Sequence, residues 1–530
     1  MKNLIYFEIQ NNKFRSFNFG NSIESKTNEE GMYIFYKNIK PSCQRDKLLN
    51  TILLQNVNGE IRINVDQFNT IPLFYGVNGD KIVFSNIFNE VAQSISSLTI
   101  DSIGFWESYL FESPFLDRTL IKEIRTIQPG CYLSVQNTKL EQKPYFSFIF
   151  KENIYENYQK IAFECLDENL YFGQTDRDII FPISGGVDSR LLLSFFNKKQ
   201  KYKSIKAITY GFNKSTFEYI YAKKVLNCLD INFESHDFHI INDKTYLSDI
   251  EKLIQITGGL IGIQNNHLYS YLSINNFKDD VYTISGFFAD TIFGYAVSDS
   301  ENNNIKYTKY YTLSKRFYEL GIISNKIFFG IESDLKILFD QWKNSNITSF
   351  NEFLYIKERS TKFHMHLYNL YRTKIDTVMP LVNNNIIDVF MSMPSHIKKN
   401  KKIIFETLDS FFPSLGAINN ISSSGRYGSG KGQGMTKTNY YLYLCITIIN
   451  KVLINMLKVP IIFDNPYDTE KQDFFYLKKM KSRLINELNI LHEQCDIDVN
   501  VCSKIGRRVD GMRNMQLITN IELIKKYILK

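Results

Sequence analysis

Cysteine is scarce and scattered in this chain. Seven cysteines occur in 530 residues, at positions 43, 131, 165, 228, 445, 495 and 502, and no two of them form a C-x-x-C pair. An odd number of widely spaced cysteines argues against a disulfide framework and against a structural zinc site. This usage is typical of a protein in a reducing cytosol, and we expect a cytoplasmic location.

Long apolar runs are also missing. The amino-terminal stretch MKNLIYFEIQ has no extended apolar core of the kind that a signal peptide needs. The most apolar later stretch, residues 440–462, is interrupted by two asparagines and two lysines, whereas a spanning helix needs roughly 20 predominantly apolar residues. We therefore expect no transmembrane segment, and we leave peripheral contact with a membrane or partner open.

The chain has no dense block of basic residues. It carries 63 Lys and Arg against 55 Asp and Glu, a net charge of +8 spread over 530 residues. This balance permits an acidic ligand such as ATP but argues against a nucleic-acid partner. A single core stops growing at about 250–300 residues, so the length predicts more than one domain.

The most informative stretch, residues 178–195, reads DIIFPISGGVDSRLLLSF. An apolar run, a glycine pair flanked by serines and a second apolar run predict a strand, a turn and a helix. Paired glycines let the backbone approach a ligand, and a helix start aims N–H groups at an anion. The segment lacks the lysine of a GxxxxGK[ST] loop. The alternative is a turn whose glycines serve only the backbone.

Its core, SGGVDS, resembles the pyrophosphate loop (PP-loop) of the asparagine synthetase and ATP-pyrophosphatase superfamily. The resemblance implies ATP and Mg²⁺ as cofactors. It assigns Asp188 to the metal as well as to the phosphates. The other residues that it assigns to the phosphates are Ser184, Gly185, Gly186 and Ser189.

Residues 1–150 are expected to be rich in β-strands, because short apolar runs alternate with Asn-Gly and Pro-Gly turns. Asp66, residues 71–75, Phe84-Ser85 and residues 128–130 resemble the glutaminase domain of asparagine synthetases, which has an Ntn-hydrolase fold. That domain uses an amino-terminal cysteine, but here the chain begins MKN and its first cysteine is Cys43. We expect a degenerate Ntn-hydrolase-like domain without glutaminase chemistry.

Residues 151–530 are expected to form an α/β synthetase domain with many helices around a parallel sheet. Helices are predicted over 154–170 and 218–229, with a strand over 205–212. Gly211 in this strand matches the family segment that lies beside the adenine and ribose, at the strand ends where parallel sheets bind ligands.

A second segment, residues 284–295, reads ISGFFADTIFGY and resembles the SGEGADELFGGY of asparagine synthetases. The match implies that Ser285 and Gly286 belong to the nucleotide site and that Asp290 is the second magnesium ligand. The alternative for Asp290 is a helix cap. Phe287 departs from the family, which carries a carboxylate or, in β-lactam synthetases, a tyrosine at this place.

Two further residues are catalytic candidates. Alignment on Pro380 places Asp376 at the glutamate of the family's ExRxPFLD motif, whereas Val378 replaces the arginine. Asp376 is then a candidate general base, and the alternative is a surface or cap carboxylate. Lys431, in a glycine-rich stretch over 422–434, matches the lysine that stabilises charge during adenylation, unless the stretch is a plain linker. His364 and His366 are expected to be surface or packing residues.

Together these matches predict an ATP-dependent ligase that adenylates a carboxylate, releases pyrophosphate and joins the acyl group to an amine. In lacking the nucleophilic cysteine, the chain resembles lasso-peptide macrolactam synthetases. This resemblance implies a peptide substrate, with a leader-binding protein and a protease as partners. One alternative is an enzyme that amidates a small acid or sugar acid with ammonia or an amine. Another is a non-catalytic scaffold.

Overall fold

A computed structural model gives the structure of this protein. It describes residues 2–37, 41, 48–136, 139–173, 177–199, 204–211, 217–231, 233–237, 243–263, 267–275, 277, 281–297, 304–418, 445 and 511–529. The stretch around Lys431 lies outside these residues, as do Cys43 and most of residues 440–510.

Eleven strands from the described part of the first 150 residues form two antiparallel sheets. They are β1 (Ile5–Gln10), β2 (Lys13–Phe19), β3 (Ile23–Asn28), β4 (Gly31–Tyr36), β5 (Ile52–Val57), β6 (Glu60–Val65), β7 (Phe74–Asn78), β8 (Lys81–Ser85), β9 (Ile124–Thr126), β10 (Cys131–Gln136) and β11 (Lys139–Pro144). One sheet has the order β2-β1-β8-β7-β9 and the other β11-β10-β6-β5-β4-β3.

These strands follow from alternating side chains and glycine turns. Along β1 every second residue is buried, as expected for a sheet with one face on the core. Asn58 and Gly59 both take positive φ, 54° and 85°, which a tight hairpin between β5 and β6 requires. The apolar faces of the two sheets form one core that includes Phe7, Ile63 and Leu133. The predicted β-rich region is confirmed; its Ntn-hydrolase-like character stays a prediction.

The later part of the chain supplies one parallel sheet. Its strands are β12 (Asp178–Pro182), β13 (Ser204–Gly211), β14 (Phe233–Asp237), β15 (Val281–Ile284) and β16 (Asp376–Val378). Their order is β14-β13-β12-β15-β16, with every neighbouring pair parallel. The run Ile179 to Phe181 is fully buried, as expected for a parallel strand covered on both faces. The predicted α/β class and parallel sheet are confirmed.

Helices surround both kinds of sheet. They are α1 (Phe88–Ser94), α2 (Ser102–Phe111), α3 (Tyr158–Asn169), α4 (Val187–Lys199), α5 (Phe217–Cys228), α6 (Asp243–Thr257), α7 (His267–Asn275), α8 (Ala289–Ile292), α9 (Lys309–Glu319), α10 (Asn325–Lys343), α11 (Phe350–Leu354), α12 (Met365–Arg372), α13 (Asn384–Met391), α14 (Ser395–Lys398), α15 (Lys402–Phe411), α16 (Pro413–Gly416) and α17 (Gly511–Tyr527). A π-helical segment, Tyr355–His364, joins α11 to α12. Helix α3 begins later than predicted, because the Asn157 side chain caps it by accepting from Lys160 N over 2.8 Å.

Buried polar contacts join the antiparallel sheets to the parallel-sheet region. Asn369 on α12 accepts from the Nδ2 atoms of Asn3 and Asn86 over 3.2 and 3.1 Å. Arg118 forms an ion pair with Asp334 on α10 at 2.7 Å. Because these groups are buried or largely buried and hydrogen-bonded, they fix how the two regions meet. The boundary near residue 150 stays a prediction.

Every helix in the described part of the chain is too short or too polar to cross a bilayer.

Candidate functional site

The glycine turn after β12 is held by its two serines. Gly186 N donates to Ser184 Oγ and Ser184 N donates to Ser189 Oγ, both over 3.2 Å, and the two hydroxyls lie 3.1 Å apart. Gly185 lies between Ser184 and Ser189 in the sequence, and helix α4 begins at Val187. This arrangement is the predicted strand, turn and helix. It directs the first turn of α4 at the carboxyl edge of the sheet, where its free N–H groups favour an anion.

Arg190, which no motif marks in the sequence, holds this turn through its guanidinium. The residue is 2% exposed. It donates to the carbonyl of Gly185 over 3.3 Å and to that of Leu415 over 3.0 Å. Burial lowers the pKa of Arg190 to about 10, against the opposing effect of Tyr221. The side chain therefore ties the phosphate-loop turn to α16 rather than facing a ligand.

The second segment follows β15, the sheet neighbour of β12. Ser285 N donates to the carbonyl of Val378 over 3.0 Å, and Ser285 Oγ accepts from the hydroxyl of Tyr368 over 2.8 Å. A Cβ on Gly286 would lie 2.9 Å from Leu192 Cδ1, so the segment passes close to α4. Since adjacent parallel strands end at one edge, the two loops lie side by side.

Gly211 lies at the same edge. It ends β13, where it pairs with Asp237 of β14, three residues beyond the pairing of Ile208 with Pro182. The structure therefore brings the predicted nucleotide-site residues to neighbouring strand ends.

Asp188 and Asp290 meet at a single lysine. Lys401 forms an ion pair with each of the two carboxylates. The lysine side chain is 12% exposed and those of Asp188 and Asp290 are 23% and 33% exposed. The two acids predicted from separate motifs are thus close enough to share one cation.

The charges at this point are strongly coupled. Burial raises the pKa of Asp188 to about 6, with Lys401 opposing the rise and Asp290 adding to it. Burial acts to lower the pKa of Lys401, but the two carboxylates raise it above its usual value. The lysine is therefore an ammonium throughout the physiological range.

The two carboxylates also fit a divalent cation. The Oδ1 atom of Asp188 is buried and has no hydrogen-bond partner among the described residues. Carboxylate oxygens are the ligands that Mg²⁺ prefers, usually one or two of them together with phosphates and waters. The donor set matches that chemistry.

The position of Lys401 could not be predicted from the sequence because it depends on an unusual backbone turn. Asn400 and Lys401 both take positive φ, 57° and 60°, between α14 and α15. Asparagine tolerates this conformation, whereas lysine rarely adopts it. The signal was present as an asparagine inside the run KKNKK at 398–402, which reads otherwise as a solvated lysine cluster.

Asp376 lies at the other end of the sheet. It is the first residue of β16 and pairs with Tyr282, two residues before β15 ends. Its carboxylate accepts from Arg177 Nη2 over 3.0 Å and from Ser22 Oγ over 3.5 Å. By this register Asp376 lies at the opposite end of its strand from the edge that carries Asp188 and Asp290, and its role as a general base stays a prediction. Lys431 lies outside the described residues.

Aromatic side chains flank the second segment. Phe287 stacks on His364 with ring centroids 5.5 Å apart and meets Tyr368 edge-on at 5.7 Å. Tyr355 OH donates to Asp290 Oδ2 over 3.4 Å. Burial lowers the pKa of His364 to about 3, helped by Arg359 and opposed by Asp290. The imidazole is therefore neutral at pH 7.

Both histidines pack rather than face solvent. His364 is 6% exposed and His366 is fully buried against the ring of Phe74. Of the two alternatives predicted, surface or packing residues, the structure shows packing.

Residues 173–406 match the family model described as asparagine synthase. This segment is less than half of the chain and is similar to asparagine synthases. The match spans the phosphate-loop turn, the second segment and Lys401, and it supports the assignment of the chain as an ATP-dependent carbon–nitrogen ligase. ATP use is expected of such a ligase. Comparison with curated proteins gives no match.

Three solved structures are similar to part of the chain. A U34-tRNA thiolase (NcsA) from Methanococcus maripaludis is 14% identical over 49% of this chain and 76% of its own, with a TM-score of 0.19. An NMN synthetase from Francisella tularensis is 13% identical over 39% and 94%, with a TM-score of 0.18. An NH3-dependent NAD synthetase from Campylobacter jejuni is 14% identical over 40% and 96%, with a TM-score of 0.19. At these scores none of them bears on the fold or chemistry of this chain.

Proposed function

We propose that this ligase adenylates a carboxylate and joins the acyl group to an amine of the same substrate, forming a macrolactam in a ribosomal peptide. The observation that supports adenylation is the meeting of the phosphate-loop turn, Asp188 and Asp290 around one cation. Loop N–H groups, two carboxylates that could share a metal ion and an ammonium at one strand edge suit a nucleotide pyrophosphate.

The chemistry runs in two steps. A carboxylate oxygen of the substrate attacks the α-phosphorus of ATP, and the bond between that phosphorus and the bridging oxygen breaks to release pyrophosphate. An amine then attacks the activated carbonyl, AMP leaves with the bonding electron pair, and the amine proton passes to solvent or base. Asp188 and Asp290 would hold a Mg²⁺ ion, which supplies charge neutralisation on the phosphates.

The residues of the chain contribute positioning and charge. Ser184, Ser189 and the N–H groups of the turn orient the pyrophosphate end, and Lys401 adds positive charge there. Gly211, at the end of β13, is the candidate for contact with adenosine. Lys431 remains the candidate for holding the adenylate.

The intramolecular amine is supported by the absence of an ammonia source in the described antiparallel sheets. Cys131, the cysteine described there, is buried, and burial raises the pKa of its thiol. A nucleophilic cysteine needs a lowered pKa and access. Phe287 can neither accept nor relay a proton from ammonia or an amine. A leader-binding protein and a protease are the partners that this function requires.

The test is ATP–pyrophosphate exchange by the full chain with Mg²⁺, using candidate precursor peptides and a panel of small acids. Exchange that depends on a peptide, with a product lighter by one water, supports the proposal. Asp188→Ala should abolish it, and Lys402→Met, an exposed neighbour of Lys401, should not. AMP formation from a small acid, stimulated by ammonium without peptide, would instead assign the alternative, an enzyme that amidates a small acid or sugar acid. Failure to bind ATP with Mg²⁺ would favour the scaffold.

A further inference from the structure

The ammonium of Lys401 lies between the two carboxylates that would hold a divalent cation. This ammonium is paired with Asp188 and with Asp290, and the same nitrogen lies 5.6 Å from the centroid of the Tyr295 ring. Two carboxylates and an aromatic face surround one positive charge. Charge-assisted contacts with carboxylates and attraction to an aromatic face both stabilise an ammonium.

The backbone presents this side chain from a fixed turn. Lys398, just before it, donates to Glu352 over 3.4 Å. The carbonyl oxygen of Lys398 lies 2.4 Å from the position that a Cβ on Gly294 would occupy. Because the turn is packed this closely, it is the flexible stem of Lys401 rather than the backbone that can move.

An ammonium and a divalent cation cannot share the two carboxylates. Both need the same oxygens, and two positive charges a few ångströms apart in a partly buried place repel by several kcal/mol at an effective dielectric of about 20. With Lys401 in place, the pair of acids carries a net charge of only −1 rather than −2. Without nucleotide, the carboxylate pair should therefore have a low affinity for a divalent cation.

We propose that Lys401 is a tethered counter-ion that keeps divalent cations out of the Asp188–Asp290 pair until a nucleotide brings its own negative charge. The phosphates then offer the ammonium a new partner and leave the carboxylates to the metal. Binding is thus ordered, with metal and nucleotide entering together. This second half rests on the proposed function; the exclusion of metal from the bare chain does not.

The experiment measures Mn²⁺ binding to the nucleotide-free full chain by the loss of the free-ion electron paramagnetic resonance signal. Lys401→Met and Lys401→Gln remove the ammonium with little change in length. Lys402→Met is the matched control, since that neighbour is 53% exposed and pairs with Glu406. A Lys401→Met/Asp290→Asn double variant checks that any new site uses the carboxylates. Circular dichroism confirms that each variant is folded.

Removal of the ammonium should tighten Mn²⁺ binding at least about tenfold in both Lys401 variants, equivalent to about 1.4 kcal/mol. Lys402→Met should leave the Mn²⁺ affinity unchanged. The double variant should lose the gain in Mn²⁺ affinity. Equal affinity in the original chain and the Lys401 variants, or no binding by any of them, would overturn the exclusion. Addition of α,β-methylene-ATP should create a Mn²⁺ site in the original chain. Absence of that site, with the exclusion intact, would overturn the ordered binding and count against the proposed function.

Discussion

Tyr368 donates a hydrogen bond from its hydroxyl to Ser285 Oγ over 2.8 Å. The tyrosine comes from α12 and the serine from the turn after β15, so the contact fixes the second segment to the helix behind it. Ser285 is 7% exposed, and its hydroxyl would have to find a new partner without Tyr368. The position of the loop that carries Asp290 thus depends on a residue far from it in sequence.

Replacement of Tyr368 by phenylalanine should lower the free energy of unfolding by about 1–3 kcal/mol, the cost of leaving a buried hydroxyl without its partner. Urea denaturation measures this change. The Ser285→Ala variant and the double variant complete a thermodynamic cycle, in which the double variant should cost clearly less than the sum of the single ones. Strict additivity would show that the hydroxyl contact contributes nothing.

Asp376→Asn should destabilise the fold while leaving nucleotide binding intact. The ion pair with Arg177 has side chains that are 10% and 13% exposed, so its loss should cost about 2–3 kcal/mol in unfolding free energy. Because Asp376 lies at the amino end of β16, titration calorimetry with α,β-methylene-ATP and Mg²⁺ should give an unchanged affinity. A tenfold loss of nucleotide affinity in a folded variant would instead show that Asp376 contributes to the nucleotide site.

The parts of the site that depend on local sequence were predictable. An apolar run, a glycine pair and flanking serines determine a strand, a turn and a helix start, since each residue type acts on its own backbone. The placing of Asp188 near Asp290 was also within reach, because the resemblance puts each after a parallel strand and such strands end at one edge.

The parts that depend on register and on rare backbone conformations were not predictable. The motif match gave Asp376 a role, but it could not show which end of β16 the residue occupies; pairing with Tyr282 decides that. Lys401 reaches the two carboxylates only because Asn400 and Lys401 take positive φ. The sequence of that stretch is typical of a solvated lysine cluster.

The stability of the π-helical region should depend on pH through Glu358. Burial raises the pKa of Glu358 to about 7, although Lys362 and Lys357 act to lower it. The pKa of an unfolded glutamate is about 4.3. The folded chain therefore keeps a proton that the unfolded chain has released. The contribution of this group to stability is complete below about pH 4 and is lost as the pH rises through about 7.

Glu358→Gln removes this titration. The unfolding free energy of the variant minus that of the original chain should rise by about 2–4 kcal/mol between pH 4 and pH 8, measured by urea denaturation. Glu319→Gln, at a side chain that is 60% exposed, is the control for the loss of a surface carboxylate. A difference that falls with rising pH for Glu358→Gln would mean that the carboxylate form is the stabilising one.

Two glycines with positive φ offer a matched comparison for the turn that carries Lys401. Gly294 has φ +83°, and an added Cβ would lie 2.4 Å from the carbonyl oxygen of Lys398; Gly321 has φ +65° with nothing within 4 Å. Gly321→Ala should therefore cost only the strain of the backbone conformation, about 1 kcal/mol. Gly294→Ala adds a clash with backbone and should cost about 3 kcal/mol or more.

The clash has a consequence beyond stability. Relief of the Cβ contact at Gly294 requires the backbone at Lys398 to move away, and this displaces the turn from which Lys401 reaches its two carboxylates. Gly294→Ala should thus weaken both ion pairs and shift nucleotide-free Mn²⁺ affinity in the same direction as Lys401→Met, while Gly321→Ala leaves that affinity unchanged. Loss of stability in Gly294→Ala with unaltered Mn²⁺ affinity would show that the lysine holds the carboxylates independently of where its backbone lies.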